Sequence, residues 1–378
     1  MKAKIYKVKA YTKEIVRGKF DKIKDPRVRG MVDYPLSDIL IIVMCSVISG
    51  LEKLEEIVTY AEKKRGFLRQ VFGIKAYPSE SQISRVLNMI DGEEVAEAII
   101  EIMKTRILKL GDIIAVDGKT IRRTIPKGKK HGGLQILTAY FVESGVVLGQ
   151  KYIDKKTNEI PVFQDMLCCI NVRNKIITGD AMHCQRDTCS MIIAKKGNYV
   201  FGLKGNQGTL YEQAKIYLKC YENSDKIEIF EAPVEKQSGR IERRIFMRIT
   251  DITNFEGIEN WMGLKSIFAV KRITETKGGI SEEISYYISS LDVSPEDLLN
   301  IVRSHWQIES MHWCLDVIFS EDECRILSLD GQKALNAFRK FALLLHKTYM
   351  KEHNIKIALK NNMLACLMDD DLLIQLCS

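Results

Sequence analysis

The feature that most constrains this chain is a change of rhythm at Gly111. Beyond it, apolar residues come in short runs separated by turns and helical stretches. Ile113 to Val116 is such a run, ending in Asp117, and reads as a strand. Leu134 to Val142 and Val146 to Tyr152 follow, with Glu143-Ser144-Gly145 as the hairpin turn between them. Next come a helix over Glu159 to Cys169, a strand over Lys175 to Thr178 ending at Asp180, and a helix over Arg186 to Lys196. A strand Tyr199 to Leu203 and a helix Thr209 to Tyr221 complete the block. Three meandering strands followed by alternating helix and strand require an α/β fold around a mixed sheet.

That element order is the one used by ribonuclease-H-like folds. The first hundred residues read as helical: Leu36 to Gly50 is apolar, Leu54 to Lys64 is amphipathic, and Ser79 to Ile90 opens with the capping-box spacing of Ser79 and Gln82. Two readings fit the last pair, separated by turns at Gly66 and Gly73. One is a helix-turn-helix with Gln82 and Arg85 facing DNA; the other is a helical bundle with Arg85 facing water. Residues Asn223 to Leu291 break the alternation with strand-like runs and turns at Ser238-Gly239 and Gly278-Gly279, which predicts an inserted β-rich segment. Helix returns at Ser294-Pro295-Glu296-Asp297. The expected division is a helical domain over 1–108, a catalytic domain over 109–348 with the insertion at 222–291, and a tail over 349–378.

Composition excludes several classes. Of 378 residues 46% are hydrophobic and 28% charged, a globular balance rather than a disordered or collagen-like one. The apolar stretch Ile39 to Leu51 falls short of the about 20 residues of a membrane span, and no apolar core follows the opening lysines as in a cleavable signal. A cytoplasmic protein is expected, and its ten cysteines are expected to be reduced. Cys168, Cys169, His183, Cys184 and Cys189 lie near one another in sequence but lack paired CxxC spacing, so buried thiols are expected over zinc. The net charge of +8 permits a polyanionic partner. Basic residues gather from Lys119 to His131 (Lys119, Arg122, Arg123, Lys127, Lys129 and Lys130) and from Lys236 to Arg248, clusters that neutralise phosphates or form a solvated face.

Three acids stand out by position. Asp117 ends the first strand, Asp180 ends the fourth, and Glu309 sits mid-helix after the insertion. Strand ends on one edge of an α/β sheet are where ligand sites form. Carboxylates there suit a pair of Mg2+ ions roughly 3.5–4 Å apart that stabilise both oxygens of an in-line phosphoryl displacement. At 100° per residue, Val302, His305, His312, Trp313 and Asp316 share a face with Glu309, while Trp306 and Trp313 are expected to pad the adjoining core. No GxxxxGK[ST] spacing supports a nucleotide site, and no GxSxG elbow supports a serine hydrolase.

These residues carry a resemblance. Ile114-Ala-Val-Asp117-Gly-Lys-Thr-Ile-Arg122 resembles the first acidic motif of DDE transposases of bacterial insertion sequences, and Ile177-Thr-Gly-Asp180-Ala-Met-His-Cys-Gln185 resembles the second. Tyr199-Val-Phe-Gly-Leu-Lys-Gly-Asn-Gln-Gly208 is similar to the motif that follows, and Arg303-Ser-His-Trp-Gln-Ile-Glu309 to the third. The branch is the ISAs-type, or H-repeat-associated, one, whose amino-terminal segment also matches Asp25-Pro-Arg27 and Tyr34-Pro-Leu36. The resemblance implies a ribonuclease-H-like catalytic domain interrupted by a β segment, with double-stranded DNA as substrate (element ends and target) and a homodimer on that DNA. It assigns Asp117, Asp180 and Glu309 as catalytic and metal-binding, with Mg2+ as cofactor and Mn2+ able to substitute. Lys119, Arg122, Arg123, Lys204, Asn206, Arg303 and His305 are the DNA contacts expected around them. Related transposases carry a Tyr, Arg, Glu, Lys pattern on the third-motif helix; here those positions hold Val302, His305, Glu309 and Asp316, so only the Glu is kept. A nuclease on the same fold and a silent DNA-binding descendant are the competing readings.

Overall fold

A computed structural model describes residues 10–377, apart from 29, 31, 106–111, 126–127, 129–132, 154–157, 222–223, 238, 250, 325 and 327. The Gly111 boundary, the segment limits near 108 and 222, Lys127, Lys129, Lys130, His131 and Ser238 lie outside the described residues.

Six helices come first: α1 (Ala10–Phe20), α2 (Leu36–Ile48), α3 (Leu54–Lys63), α4 (Arg65–Phe72), α5 (Glu80–Met89) and α6 (Gly92–Lys104). Every residue of α2 is buried, as expected of a helix apolar on all sides. Its Asp38 is neutralised by Arg17 at 2.7 Å. Gly66 lies inside α4 rather than at a turn, whereas Gly73 caps that helix in the left-handed conformation (φ 75°) that glycine adopts without steric cost. The capping box of α5 forms, and it consumes the Gln82 side chain, whose Oε1 accepts the Ser79 N–H at 2.8 Å. Of the two residues expected to face DNA, Arg85 alone is exposed.

Strands β1 (Ile113–Ile121), β2 (Leu134–Phe141) and β3 (Val147–Ile153) form the antiparallel meander. Helix α7 (Glu159–Cys169), β4 (Ile176–Gly179), α8 (Arg186–Ala194), β5 (Asn198–Leu203) and α9 (Gly208–Cys220) follow. Strand β4 pairs parallel with β1, and β5 parallel with β4, giving the order β3-β2-β1-β4-β5 of a ribonuclease-H-like sheet. The inserted segment supplies β6 (Ile227–Glu231), β7 (Glu235–Gln237), β8 (Arg240–Ile249), β9 (Ser266–Thr276) and β10 (Gly279–Ser289). It builds no separate body: β10 pairs antiparallel with β5, and the sheet runs on through β9 and β8 to β6. The unpaired edge of β5 is the physical reason, because an exposed row of backbone donors and acceptors is a template for another strand.

Helix α10 (Pro295–Val317) returns across the sheet, and α11 (Leu329–Glu352) packs against α2, α5 and α6. Residues 349–378, read as a tail, form α12 (Leu359–Met368) and α13 (Asp370–Cys377), whose Leu373, Leu376 and Cys377 fill the core shared with α1–α6 and α11. No described helix is long and apolar enough to cross a membrane. The strand period of two sorts β1 between two layers. Ile114 and Val116 enter the core under α7–α9, Ala115 points to the opposite side, and Asp117 therefore faces α10.

Candidate active site

Strand register alone brings the first two acids together. On β1 and β4 the parallel partners are Ile113 with Ile176, Ile114 with Ile177 and Ala115 with Thr178. The same offset carried two residues further sets Asp180, one residue past the end of β4, beside Asp117. Adjacent strands lie about 4.8 Å apart, which is close enough for two carboxylates to share a cation.

Helix α10 is strapped over this pair by three contacts on one face. His305 Nδ1 lies 2.9 Å from Thr178 Oγ1 on β4. His312 Nδ1 lies 3.3 Å from Asp117 Oδ2 on β1. Asp316 Oδ1 accepts from Lys119 Nζ at 2.5 Å. Glu309 sits between His305 and His312, four residues after one and three before the other, and so projects over the gap between β1 and β4. Its carboxyl is raised above the usual range by burial and then by the charge of Asp117. Asp117 is more deeply buried than the exposed Glu309, but the His312 hydrogen bond, followed by the charges of His312 and His305, outweighs that burial and holds the carboxyl below its usual range. His305 is lowered, because burial outweighs the pull of Asp117 and Asp180.

Asp180 caps the short helical turn Ala181–His183, with Oδ1 accepting the Met182 N–H at 3.0 Å. That turn is pinned from β5 outward: Asn206 Nδ2 donates to Ala181 O at 2.6 Å, and Gln207 Nε2 to Cys184 O at 2.9 Å. Beneath it lies His183, fully buried, with Nε2 3.0 Å from Glu159 Oε1 and 3.9 Å from Asp180 Oδ1. Glu159 and Thr178 were not singled out from sequence; His183 was weighed only as a zinc ligand, and His312 only as part of the stripe it shares with Glu309. Glu159 could have been, since it opens a helix just after the meander; the pairing of His312 with Asp117 needs the tertiary fold.

Several expected DNA contacts are spent inside the protein. The Lys119 ammonium lies between Asp316 and the fully buried Glu321 at 2.5 and 2.6 Å, so it serves as an internal brace rather than a phosphate contact. His305 is turned onto β4, and the Asn206 amide holds Ala181. Arg303 pairs with Glu235 at 2.7 Å while staying partly exposed. Arg122, Arg123 and Lys204 face outward. Trp306 and Trp313 do not pad the core: they are 52% and 57% exposed. The cysteine expectation holds in part, with Cys184 and Cys189 buried but Cys168 and Cys169 exposed.

A ribonuclease-H-like sheet with two aspartates side by side at strands one and four, and a glutamate on the returning helix, defines the class: a polynucleotidyl-transfer fold. The comparisons with known proteins agree. The Transposase DDE domain family matches residues 109–345, and a DDE_Tnp_1-associated segment matches residues 18–103. The "Putative transposase YncI" of Escherichia coli O157:H7 is 35% identical over 332 residues, covering 85% of this chain and 84% of that protein. The "H repeat-associated putative transposase YhhI" of Escherichia coli K12 is 33% identical over the same length, covering 85% and 87%. The chain belongs to the DDE transposase family, enzymes that cut and transfer DNA strands.

Proposed function

We propose that this protein cuts insertion-sequence ends and joins them to target DNA, acting in the cytoplasm as a homodimer on the DNA, with Asp117, Asp180 and Glu309 holding Mg2+. The observation that carries the reading is the strand register that sets Asp180 beside Asp117 under Glu309. The family implies a divalent metal, and the donor set fits one: three hard carboxylates, with the Asp117 charge among the causes that raise the Glu309 carboxyl. Among the described residues no three His, Cys, Asp or Glu side chains already close into a metal cage. A cation would therefore draw carboxylates together that otherwise repel.

Bound ions would supply charge for the attacking and leaving oxygens of a phosphoryl displacement. The chain's own part is orientation. His312 occupies Asp117 Oδ2 and the Met182 N–H occupies Asp180 Oδ1, so each aspartate turns one oxygen inward and keeps the other for a ligand. His305 anchors α10 to β4 through Thr178 Oγ1. Outward Arg122, Arg123 and Lys204 would meet phosphates of the incoming duplex, and Arg303 would join them by exchanging Glu235 for phosphate. The helical domain, or the β6–β10 segment, would read the element's terminal repeats.

Changing Glu309 to Gln removes one ligand charge while keeping shape. Cleavage of terminal-repeat DNA in Mg2+ should fall by about a thousandfold or more, with duplex binding nearly unchanged. Wild-type-like cleavage by Glu309→Gln, with loss in Asp316→Asn instead, would assign the third ligand to the wrong turn of α10.

A further inference from the structure

Three glycines mark a place where the sheet has been thinned. A Cβ on Gly118 of β1 would meet Glu159 Oε1 at 2.5 Å, one on Gly179 of β4 would meet His183 Cβ at 3.3 Å, and one on Gly202 of β5 would meet Ala181 N at 3.1 Å. Glycine inside strands costs stability and leaves nothing to pack, so its use on three neighbouring strands of the sheet calls for a reason. What the space accommodates is one assembly: the Glu159 carboxylate, the His183 ring and the turn that carries Asp180. Glu159 is set there by the start of α7, where Asn158 caps the helix by accepting the Ile160 N–H at 3.0 Å. The His183 ring is held against Phe163, with centroids 4.5 Å apart. Its Nε2 points between Glu159 and Asp180, off the line of a full hydrogen bond to either, and both ring nitrogens are buried without one.

A fully buried histidine with neither nitrogen satisfied is costly unless it serves a purpose. Its nearer neighbour on the Asp180 side is Oδ1, the oxygen already held by the Met182 N–H. We propose that Glu159 and His183 are positioning residues for Asp180: Glu159 holds the ring in place, and the ring, 3.9 Å from Oδ1 and without a hydrogen bond to it, backs the oxygen that the Met182 N–H already holds, leaving Oδ2 for a divalent cation. Neither residue touches the cation. The arrangement follows the general habit of metal sites, in which a carboxylate behind a first partner governs how well the ligand binds. The inference rests on the reading of Asp180 as a metal ligand.

The test is Mn2+ affinity of the full-length protein without DNA, read from free Mn2+ by electron paramagnetic resonance, with melting temperature followed alongside. Glu159→Gln should weaken Mn2+ binding about tenfold with little change in melting. Glu159→Asp keeps the charge but withdraws it from His183, and should weaken binding nearly as much. His183→Gln should do the same, and the double variant with Glu159→Gln should be no worse than the worse single change, since both act on one oxygen. Wild-type affinity in Glu159→Asp beside a loss in Glu159→Gln would mean a through-space charge effect and would overturn the proposal, as would wild-type affinity in both. That pair decides the matter even if His183→Gln fails to fold. Asp180→Asn is the companion control: a loss there with none in the Glu159 variants rejects this inference alone. No loss in Asp180→Asn rejects the metal-ligand reading itself.

Discussion

Helix α10 carries two acid clusters only two turns apart, and they are treated oppositely. Toward its end, Asp316 and the buried Glu321 share Lys119, and Glu321 with Glu52 shares the buried Arg339, at 2.5 to 3.4 Å. Three acids there are met by two cations, and burial of the Glu321 carboxyl is outweighed by Arg339 and Lys119, which hold it at about 2. Two helix turns earlier, among the described residues, Asp117, Asp180 and Glu309 have no Lys or Arg within ion-pair distance; Asp117 meets His312 at 3.3 Å and Asp180 lies 3.9 Å from His183. Both clusters cost desolvation; only one is given the countercharge to offset it. Acids paired with cations hold the helical domain, α11 and β1 together, whereas acids left unpaired reserve their charge for a ligand.

The largest effect expected outside the chemistry is at Glu321. Glu321→Gln leaves Arg339 and Lys119 short of a buried countercharge and should cost about 3 kcal/mol of stability by denaturant unfolding. Protein that remains folded should still cleave DNA, and a cleavage loss without a stability loss would merge the two clusters into one. A smaller effect is expected at Lys340, fully enclosed and donating to Thr138 Oγ1 and Gln150 Oε1 at 2.9 and 3.0 Å. Burial lowers its ammonium to about 7, against 10.5 when exposed. Between those values the unfolded chain binds the extra proton, so stability should rise with pH by up to about 1.4 kcal/mol per unit. Lys340→Met should flatten that rise; an unchanged slope would place its cause elsewhere. Smaller still, Arg122→Ala and Arg123→Ala should each reduce the salt slope of duplex binding by about 0.9. An unaltered slope would return them to a solvated surface.

Much of this layout was legible in the sequence for a local reason. The apolar run before Asp180 records β4, which ends at Gly179, whereas β1 does not end at Asp117 as expected but runs on to Ile121 because residues 117–121 keep pairing with β2; the order of runs is still enough for the β3-β2-β1-β4-β5 sheet. The capping box of α5 and the helix at Glu159–Cys169 are likewise written in neighbouring residues. What was not legible depends on partners far apart in the chain. Lys119 reads as a cation in a basic run until Glu321, 202 residues on, is brought beside it. Trp306 and Trp313 have a core-like spacing, but the heptad of His305, Glu309, His312 and Asp316 claims the inward face of α10 and leaves them outside. The insertion was expected as a β-rich piece, and only pairing at the β5 edge shows that it extends the same sheet.

The most direct measurement of the contrast is the melting temperature of Glu309→Gln and Glu321→Gln, compared with wild type in chelator at pH 7 and again in Mg2+. Glu309 is an acid whose ionisation the fold opposes, through burial and Asp117, so neutralising it should raise the melting temperature in chelator. Glu321 is an acid whose ionisation the fold favours, so neutralising it should lower the melting temperature. Mg2+ should then raise the melting temperature of wild type and of Glu321→Gln, but leave Glu309→Gln nearly unmoved. A drop in both variants in chelator, or an undiminished Mg2+ response in Glu309→Gln, would contradict the assignment of Asp117, Asp180 and Glu309 as a site that keeps its charge for a metal.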